Sequence, residues 1–348
     1  MNKDWLSWKD AFKEENVSRL NTNSNSLCTY GIRPLDEALF RIAKNELIVI
    51  GADSGVGKSE LSLSIARHNA MNGKNVAVYY LEGGHLEAIT RMKWKDIADR
   101  FYRDLERGHQ NNIYKEIDFK KWLFNHGELD HLHAIEQEIY GDYTEKYKDN
   151  LFFYPITDKF DVEKLTMSLL DFSTLEPDEN DNGLLGYKYS LDLIVIDHLQ
   201  YFSLDKDETE IQEITKILRT VKMITDSYHI PVILISHLRK KHKDRGIPGQ
   251  EDFYGSSNIP KIATTAITIA PAPNKENLAG NIYPTYLRIA KSRTGVKPNY
   301  AMLVNFDLNR REYESKYKIY RLDSYGNVSD NALKDEELPR WAEGARML

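Results

Sequence analysis

With 348 residues, a net charge of −6, 29% charged and 41% hydrophobic residues, the chain suits one large α/β domain or two small ones. Its mild acidity argues against a uniformly basic nucleic-acid binder, although a local basic strip is compatible with that balance. A single cysteine, Cys28, excludes an internal disulfide framework and cysteine-based zinc sites; no long apolar run or signal core is present, so a cytoplasmic protein without a membrane span is expected.

Residues 4–15 place Trp5, Trp8, Ala11 and Phe12 on one helical face, which should dock on the chain's own core or on a neighbouring subunit. The polar stretch Asn21 to Ser26 reads as a linker, and residues 33–43 as a helix. An apolar strand, Glu46 to Ile50, then enters Gly51-Ala52-Asp53-Ser54-Gly55-Val56-Gly57-Lys58-Ser59, followed by a helix carrying Leu61, Leu63, Ile65 and Ala66. Strand, glycine-rich turn, Lys-Ser and helix make the context of a P-loop. Gly55 and Gly57 let successive N–H groups turn inward on phosphate oxygens, and the helix adds its positive N-terminal dipole. Lys58 is then the ligand of the β/γ-phosphates and Ser59 that of Mg²⁺, with ATP as the nucleotide. Ala52 departs from the usual first glycine, and a glycine-rich hairpin beside a surface lysine is the plainer alternative.

The run Val76 to Leu81 has the apolar character of a parallel strand buried on both faces, and it ends in Glu82-Gly83-Gly84. Glu82 is either a general base for the attacking water or a first-turn acid of the next helix. Residues 86–150 read as charged, aromatic-studded helices. Their His126, His131 and His133 lack paired ligand spacing and are better taken as surface or core residues than as a metal site. A short strand near 150–154, a helix over 162–172 and an acidic surface loop over 176–183 follow.

Leu191 to Ile196 is a strand ending in Asp197, the Walker B arrangement in which the carboxylate holds Mg²⁺. A helix over 208–227 aligns Ile211, Ile214, Leu218, Val221 and Ile224, and the strand Val232 to Ser236 ends in His237, a candidate γ-phosphate contact. The segment Arg239, Lys240, Lys241, Lys243, Arg245, then Tyr254, Gly255 and Ser256, suits contact with a phosphate backbone; a solvated surface loop is the alternative. Strands are expected over 264–271, 285–291, 300–306 and 311–321, and a polar helix with Trp341 over 331–348.

Taken together, residues 28–315 resemble the RecA-like motor domain of DnaB-type hexameric replicative helicases, a group that includes phage primase-helicases and the Twinkle type. The DnaB P-loop shares the alanine at position 52; Tyr80-Leu81-Glu82 resembles the segment carrying the catalytic glutamate; and Ile196-Asp197-His198-Leu199-Gln200 is similar to the Walker B segment, with His198 in place of tyrosine. Ser236-His237-Leu238 resembles the γ-phosphate sensor, Tyr254-Gly255-Ser256-Ser257 the channel loop, and Lys291-Ser292-Arg293-Thr294-Gly295 the element whose arginine reaches the neighbouring ATP site. The resemblance implies an α/β, RecA-like P-loop NTPase: a mostly parallel sheet flanked by helices, with a C-terminal antiparallel extension. It implies catalytic roles for Lys58, Glu82, His237, Lys291 and Arg293, a homo-oligomeric ring in the form of a hexamer, single-stranded DNA as partner, and a primase or loader as a further one. The implied division is a subunit-docking segment over 1–27, a motor over 28–330 and a tail over 331–348, with no room for a primase-interacting domain ahead of the motor. Two departures stand out: Asn258-Ile259-Pro260-Lys261 replaces an acidic segment after the channel loop, and two glycines follow Glu82.

Overall fold

A computed structural model describes residues 7–21, 24–53, 55–108, 116–127, 129–146, 150–172, 175–177, 185–187, 191–203, 209–239, 246–255, 257–273, 278, 280–293 and 295–342. Helices α1 (Trp8–Asn21) and α2 (Arg33–Leu39) precede β1 (Leu47–Ala52), α3 (Lys58–Met71) and β2 (Val76–Tyr80). A helical module of α4 (Gly84–Glu106), α5 (Phe119–Leu123) and α6 (Asp130–Lys146) leads to β3 (Leu151–Phe153) and α7 (Val162–Phe172). After the small hairpin of β4 (Leu175–Pro177) and β5 (Leu185–Tyr187) come β6 (Leu193–Asp197), α8 (Glu210–Tyr228) and β7 (Val232–His237). The chain continues through α9 (Ile259–Ile262), β8 (Thr265–Pro271), β9 (Ile282–Lys291), β10 (Tyr300–Asp307) and β11 (Glu312–Arg321).

Among the described residues, nine strands form one sheet in the order β11-β10-β9-β8-β1-β7-β6-β2-β3. The run from β8 to β3 is parallel, and β9, β10 and β11 extend it antiparallel. Every residue of β1 is buried, which is why it reads as an unbroken apolar run. Strand alternation sends Ile48, Ile50 and Ala52 into one core with Leu61, Ile65 and Ala66 of α3. Leu47 and Val49 enter the opposite core with Ile214, Leu218, Val221 and Ile224 of α8. Each buried isoleucine contributes about 1.5–3 kcal/mol relative to exposure, so the two faces fix the height of β1 between the helices. The turn after β1 is thereby held on a rigid platform. A third core, with Trp94, Phe101 and Trp122, belongs to the helical module. Arg67 of α3 pairs with Asp96 and Asp99 of α4 and ties that module to the helix following the glycine-rich turn.

Several expectations need correction. The tail is not a helix: among residues 331–342 only Asp335–Glu337 turns, as a 3-10 segment. Leu333 N–H donates to the Ile319 carbonyl at 2.7 Å, which commits backbone to β11 and away from a helical ladder. Leu333, Leu338 and Trp341 pack on the core, and the Trp341 ring meets Tyr300 edge-on, with centroids 6.4 Å apart. The helix expected over 33–43 stops at Leu39, where Phe40 turns to a φ of +67°. The first helix runs Trp8–Asn21 and not 4–15, so Asn21 belongs to it and not to a linker; Trp5 lies outside the described residues. Ile211 is 58% exposed and does not share the buried stripe of α8. Part of the expected acidic loop, Glu176 and Pro177, pairs with Gly186 and Leu185 as strand.

Candidate active site

The site is built at the carboxyl ends of β1, β6 and β7, which lie side by side in the sheet. In an open α/β sheet this is where ligands bind. After Ala52 the chain passes exposed Asp53 and turns through Gly55 and Gly57, at φ of +80° and +88°, before α3 begins at Lys58. These left-handed angles strain any residue with a Cβ, and nothing lies within 4 Å of where a Gly55 Cβ would be. The turn is therefore shaped by backbone need and opens on free space, as a phosphate cradle requires. Ser54 lies outside the described residues.

Lys58 is buried and its Nζ lies 3.0 Å from Nδ1 of His237. An ammonium can only donate, so His237 Nδ1 accepts and its proton sits on Nε2, which stays available as a donor. Burial lowers the Lys58 pKa, with Glu82, Asp197 and Asp53 acting the other way; burial and Lys58 lower that of His237. His237 N–H donates to Gln200 Oε1 at 3.1 Å, and Gln200 Nε2 donates to Ser236 Oγ at 3.1 Å. Gln200 thus pins the ends of β6 and β7 together.

Asp197 is fully buried and accepts from Ser62 Oγ at 3.1 Å through Oδ2. Burial pushes its pKa up to about 6, against the Ser59 and Ser62 hydroxyls. Its other oxygen, Oδ1, is buried with no hydrogen-bond partner. An acceptor left open beside the hydroxyl of Ser59 fits the Mg²⁺ expected between those two residues. Next to it, His198 is fully buried, held neutral with a pKa near about 3 by burial and by the neighbouring His237 and Lys58. Its Nε2 stands 3.3 Å from Glu82 Oε2 without hydrogen-bond geometry. Glu82 therefore faces this cluster, while α4 starts two residues later on Gly83 as its N-cap; the helix-capping alternative is not what the geometry shows.

A cavity of about 760 Å³ opens from the turn, bounded by Gly55–Glu60, Tyr80 and Glu82 on one side and by Tyr283, Thr285 and Arg311 on the other. That volume suits a small-molecule ligand of nucleotide size. Glu60, one residue past Ser59, pairs with both Arg91 and Arg311 in its wall, which joins α3 to α4 and to the β10–β11 turn.

The remaining expected residues lie elsewhere. Lys291 pairs in register with Ala266, itself level with Val49 in β1, so the segment that follows runs past the amino end of the parallel strands. Exposed Arg293 is there, separated from its own glycine-rich turn by the length of β1, roughly 15–20 Å. Lys291 Nζ donates to the carbonyls of Pro260 and Ala263, at 2.5 and 2.6 Å, capping the short α9. Arg239 follows β7 directly; its N–H donates to the Asp252 carbonyl at 2.7 Å, and Tyr254 N–H returns to the His237 carbonyl at 3.0 Å. A bridge between Leu238 and Phe253 closes the base of the loop, so the loop is rooted on the residue that touches Lys58. Gly255, at φ +91°, packs where a Cβ would strike Ile214. Lys240, Lys241, Lys243, Arg245 and Ser256 lie outside the described residues.

Sequence reading missed Ser62, His198, Gln200 and Arg311 as members of this neighbourhood. Ser62 was findable, one helical turn after Ser59 on the same face. His198 and Gln200 were visible as polar residues directly after an apolar strand. Arg311 is set by a turn between two strands far along the chain, which leaves no local pattern.

The sheet order and the phosphate-type turn define the class: this is a RecA-like P-loop fold, as expected from the sequence. Two solved structures share it. One is a phage-type ATPase domain solved on its own, with a TM-score of 0.63 and 16% identity over 89% of this chain and 99% of that one. The other is a DnaB-like replicative helicase studied with primase, with a TM-score of 0.61 and 17% identity over 93% of this chain and 67% of that one. Within that class the chain is similar to DnaB-type replicative helicases: residues 173–314 match the DnaB-like helicase C terminal domain family. The replicative DNA helicase DnaB of Mycoplasma pneumoniae is 22% identical, over 92% of this chain and 64% of its own length. A probable plasmid replicative DNA helicase of Chlamydia trachomatis is also 22% identical, over 83% and 55%. The chain thus spans between about half and two thirds of these relatives. The glycine-rich turn and Glu82 lie before the matched segment, so their reading rests on the geometry above.

Proposed function

We propose that this chain is the motor of a DnaB-type DNA helicase, hydrolysing ATP at the subunit interfaces of a ring to move along single-stranded DNA. The observation that carries the reading is the meeting of Lys58, Asp197, His237 and Glu82 behind a phosphate-type turn, while Arg293 stands at the far end of the same sheet. In this reading the N–H groups of residues 53–57 and Lys58 hold the phosphates, and Ser59 with Asp197 holds Mg²⁺, which supplies charge neutralisation on the transferred group. Glu82 takes the proton of the attacking water. His237 donates through Nε2 to the terminal phosphate and communicates its loss to the loop rooted at Leu238 and Phe253. Arg293 is too far from its own turn to serve it and would complete a neighbour's site. Lys291 supports that element through its hold on α9. Trp8, 82% exposed, and Phe12, 52% exposed, suit a helix that docks on an adjacent subunit. The units are a docking segment over 1–27, a motor from 28 to about 330, and a tail from 331 whose first part packs on the motor.

The loop from Arg239 to Ser256 is the proposed DNA contact, through Arg239, Lys240, Lys241, Lys243, Arg245, Tyr254, Gly255 and Ser256. The test is the steady-state ATPase rate with and without single-stranded DNA, at a concentration where sizing shows the oligomer, followed by strand displacement on a forked duplex. Stimulation and displacement are expected. A rate indifferent to DNA would turn the reading to an ATPase that remodels a protein partner through the same loop.

A further inference from the structure

Three acceptor atoms converge at the end of β6 with no donor among them. Asp197 Oδ1 and His198 Nε2 are buried and lack hydrogen-bond partners, and Asp197, His198 and Glu82 each bring a ligand atom within 4.8 Å of the others. The protonation of His198 follows from its other nitrogen. Nδ1 stands 3.1 Å from Gln200 Oε1, and that oxygen already accepts the His237 N–H, so it is an acceptor and Nδ1 carries the hydrogen. Nε2 then presents its lone pair, with no proton, to two carboxylates. Leaving buried acceptors opposed in this way is costly, and a cation is what resolves it.

We propose that Glu82, Asp197 and His198 form a protein-ligated divalent-cation site whose imidazole nitrogen makes it select a first-row transition ion such as Mn²⁺ over Mg²⁺. Mg²⁺ takes oxygen ligands and keeps its water, whereas imidazole suits transition ions. Ligands held about 2.1 Å from an ion stand roughly 3–4 Å apart, so a modest swing of Glu82 closes the set. Glu82 has room for it, because its side chain is 42% exposed. The two buried ligands are oriented from behind: Gln200 fixes the His198 ring, and Ser62 holds Asp197 by its other oxygen. Such outer partners are what a ligating histidine and carboxylate need to keep their lone pairs aimed. The consequence for turnover rests on the function proposed above, since Asp197 and Glu82 serve both readings. The site itself does not depend on nucleotide.

The test uses the full chain, stripped of metal and free of nucleotide, titrated with Mn²⁺ and followed by electron paramagnetic resonance. One Mn²⁺ per chain should bind, and about a ten-fold or greater excess of Mg²⁺ should be needed to displace half of it. Pulsed measurement on protein made with ¹⁵N-histidine should show a histidine nitrogen coupled to the bound ion, and His198→Phe should abolish that coupling. The isotope experiment needs no variant, so it stands even where His198→Phe fails to fold. Absence of binding, bound Mn²⁺ with no histidine coupling, or a coupling that survives in folded His198→Phe would each overturn the assignment. A chain that hydrolyses ATP yet shows no histidine coupling refutes the metal site alone. A chain that shows the coupling and has no ATPase activity refutes the motor reading alone.

Discussion

Glu46 and Asp197 are buried carboxylates at opposite ends of the parallel strands, one just before β1 and the other closing β6. Burial raises the pKa of both. They differ in what meets their oxygens. Thr265 Oγ1 donates to one oxygen of Glu46, and the Ala43 N–H donates to the other at 3.0 Å. Asp197 has Ser62 on Oδ2 and nothing on Oδ1. An unsatisfied buried acceptor costs about 1–3 kcal/mol, and the fold carries that cost beside a glycine-rich turn and a cavity while avoiding it at Glu46. The amino end is closed by the protein itself; the carboxyl end is left open for something else to bind.

The sharpest break of this contrast is Lys58→Ala. Removing the buried ammonium leaves the cluster of Glu82 and Asp197 without its cation and should cost about 2–5 kcal/mol of nucleotide affinity, on the order of 10²–10³-fold. A fluorescent ATP analogue titrated into both proteins measures it. Wild-type affinity in the variant would mean that the open carboxyl end does not serve phosphate.

Arg293 complicates the contrast usefully, because it lies at the closed end yet makes no ion pair to hold the fold there among the described residues. Arg293→Ala should leave nucleotide affinity within about two-fold and lower turnover by about 10³–10⁵, the usual worth of an arginine supplied in trans. Mixing Arg293→Ala with Glu82→Gln, each inactive alone, should restore partial activity through interfaces that pair an intact site with an intact arginine. Hydrolysis by Arg293→Ala at the unmutated rate would remove the inter-subunit reading.

How much of this was legible depended on whether a residue's partner was local. The glycine-rich turn, the strand-ending Asp197 and His237, and the order of the main strands are announced by short patterns, because backbone angle, burial on both faces and strand polarity are set within a few residues. The partners of these residues are not. Lys58 finds His237 from 179 positions away, and Glu60 finds Arg311 from 251. The helix expected around Trp341 failed for the same reason: β11 offered the Leu333 N–H a sheet partner and Tyr300 offered the indole a ring, neither visible from the polar composition of the tail. Tertiary partners overrode local propensity there.

The closed end can be tested through stability. Glu46→Ala strips two buried donors, on Ala43 and Thr265, of their acceptor and should destabilise the chain by about 1–3 kcal/mol in urea denaturation. Nucleotide affinity of the folded fraction should be unchanged. A loss of affinity equal to that of Lys58→Ala would show that the two ends are not separable.

The smallest effect concerns Asp36, which shares the closed end. Its Oδ1 accepts the Tyr30 N–H at 2.7 Å, yet burial pushes its pKa up to about 6, only partly opposed by the N–H groups of Tyr30, Gly31 and Ile32. The folded chain therefore holds this proton more tightly than the unfolded chain, whose value is 3.8. Stability from this group is greatest below about pH 4, falls as pH rises to about 6 and is level above that. Asp36→Asn keeps the acceptor oxygen and removes the titration. Its stability relative to wild type should rise by about 1–2 kcal/mol between pH 4 and pH 7, less than the full linkage value because Asp36 retains some water. Urea curves on nucleotide-free protein at the two pH values give the difference directly. A gap that does not change with pH would mean that satisfied hydrogen bonds at the closed end cancel the cost of burial, and the contrast with Asp197 would then be one of ligand-readiness alone.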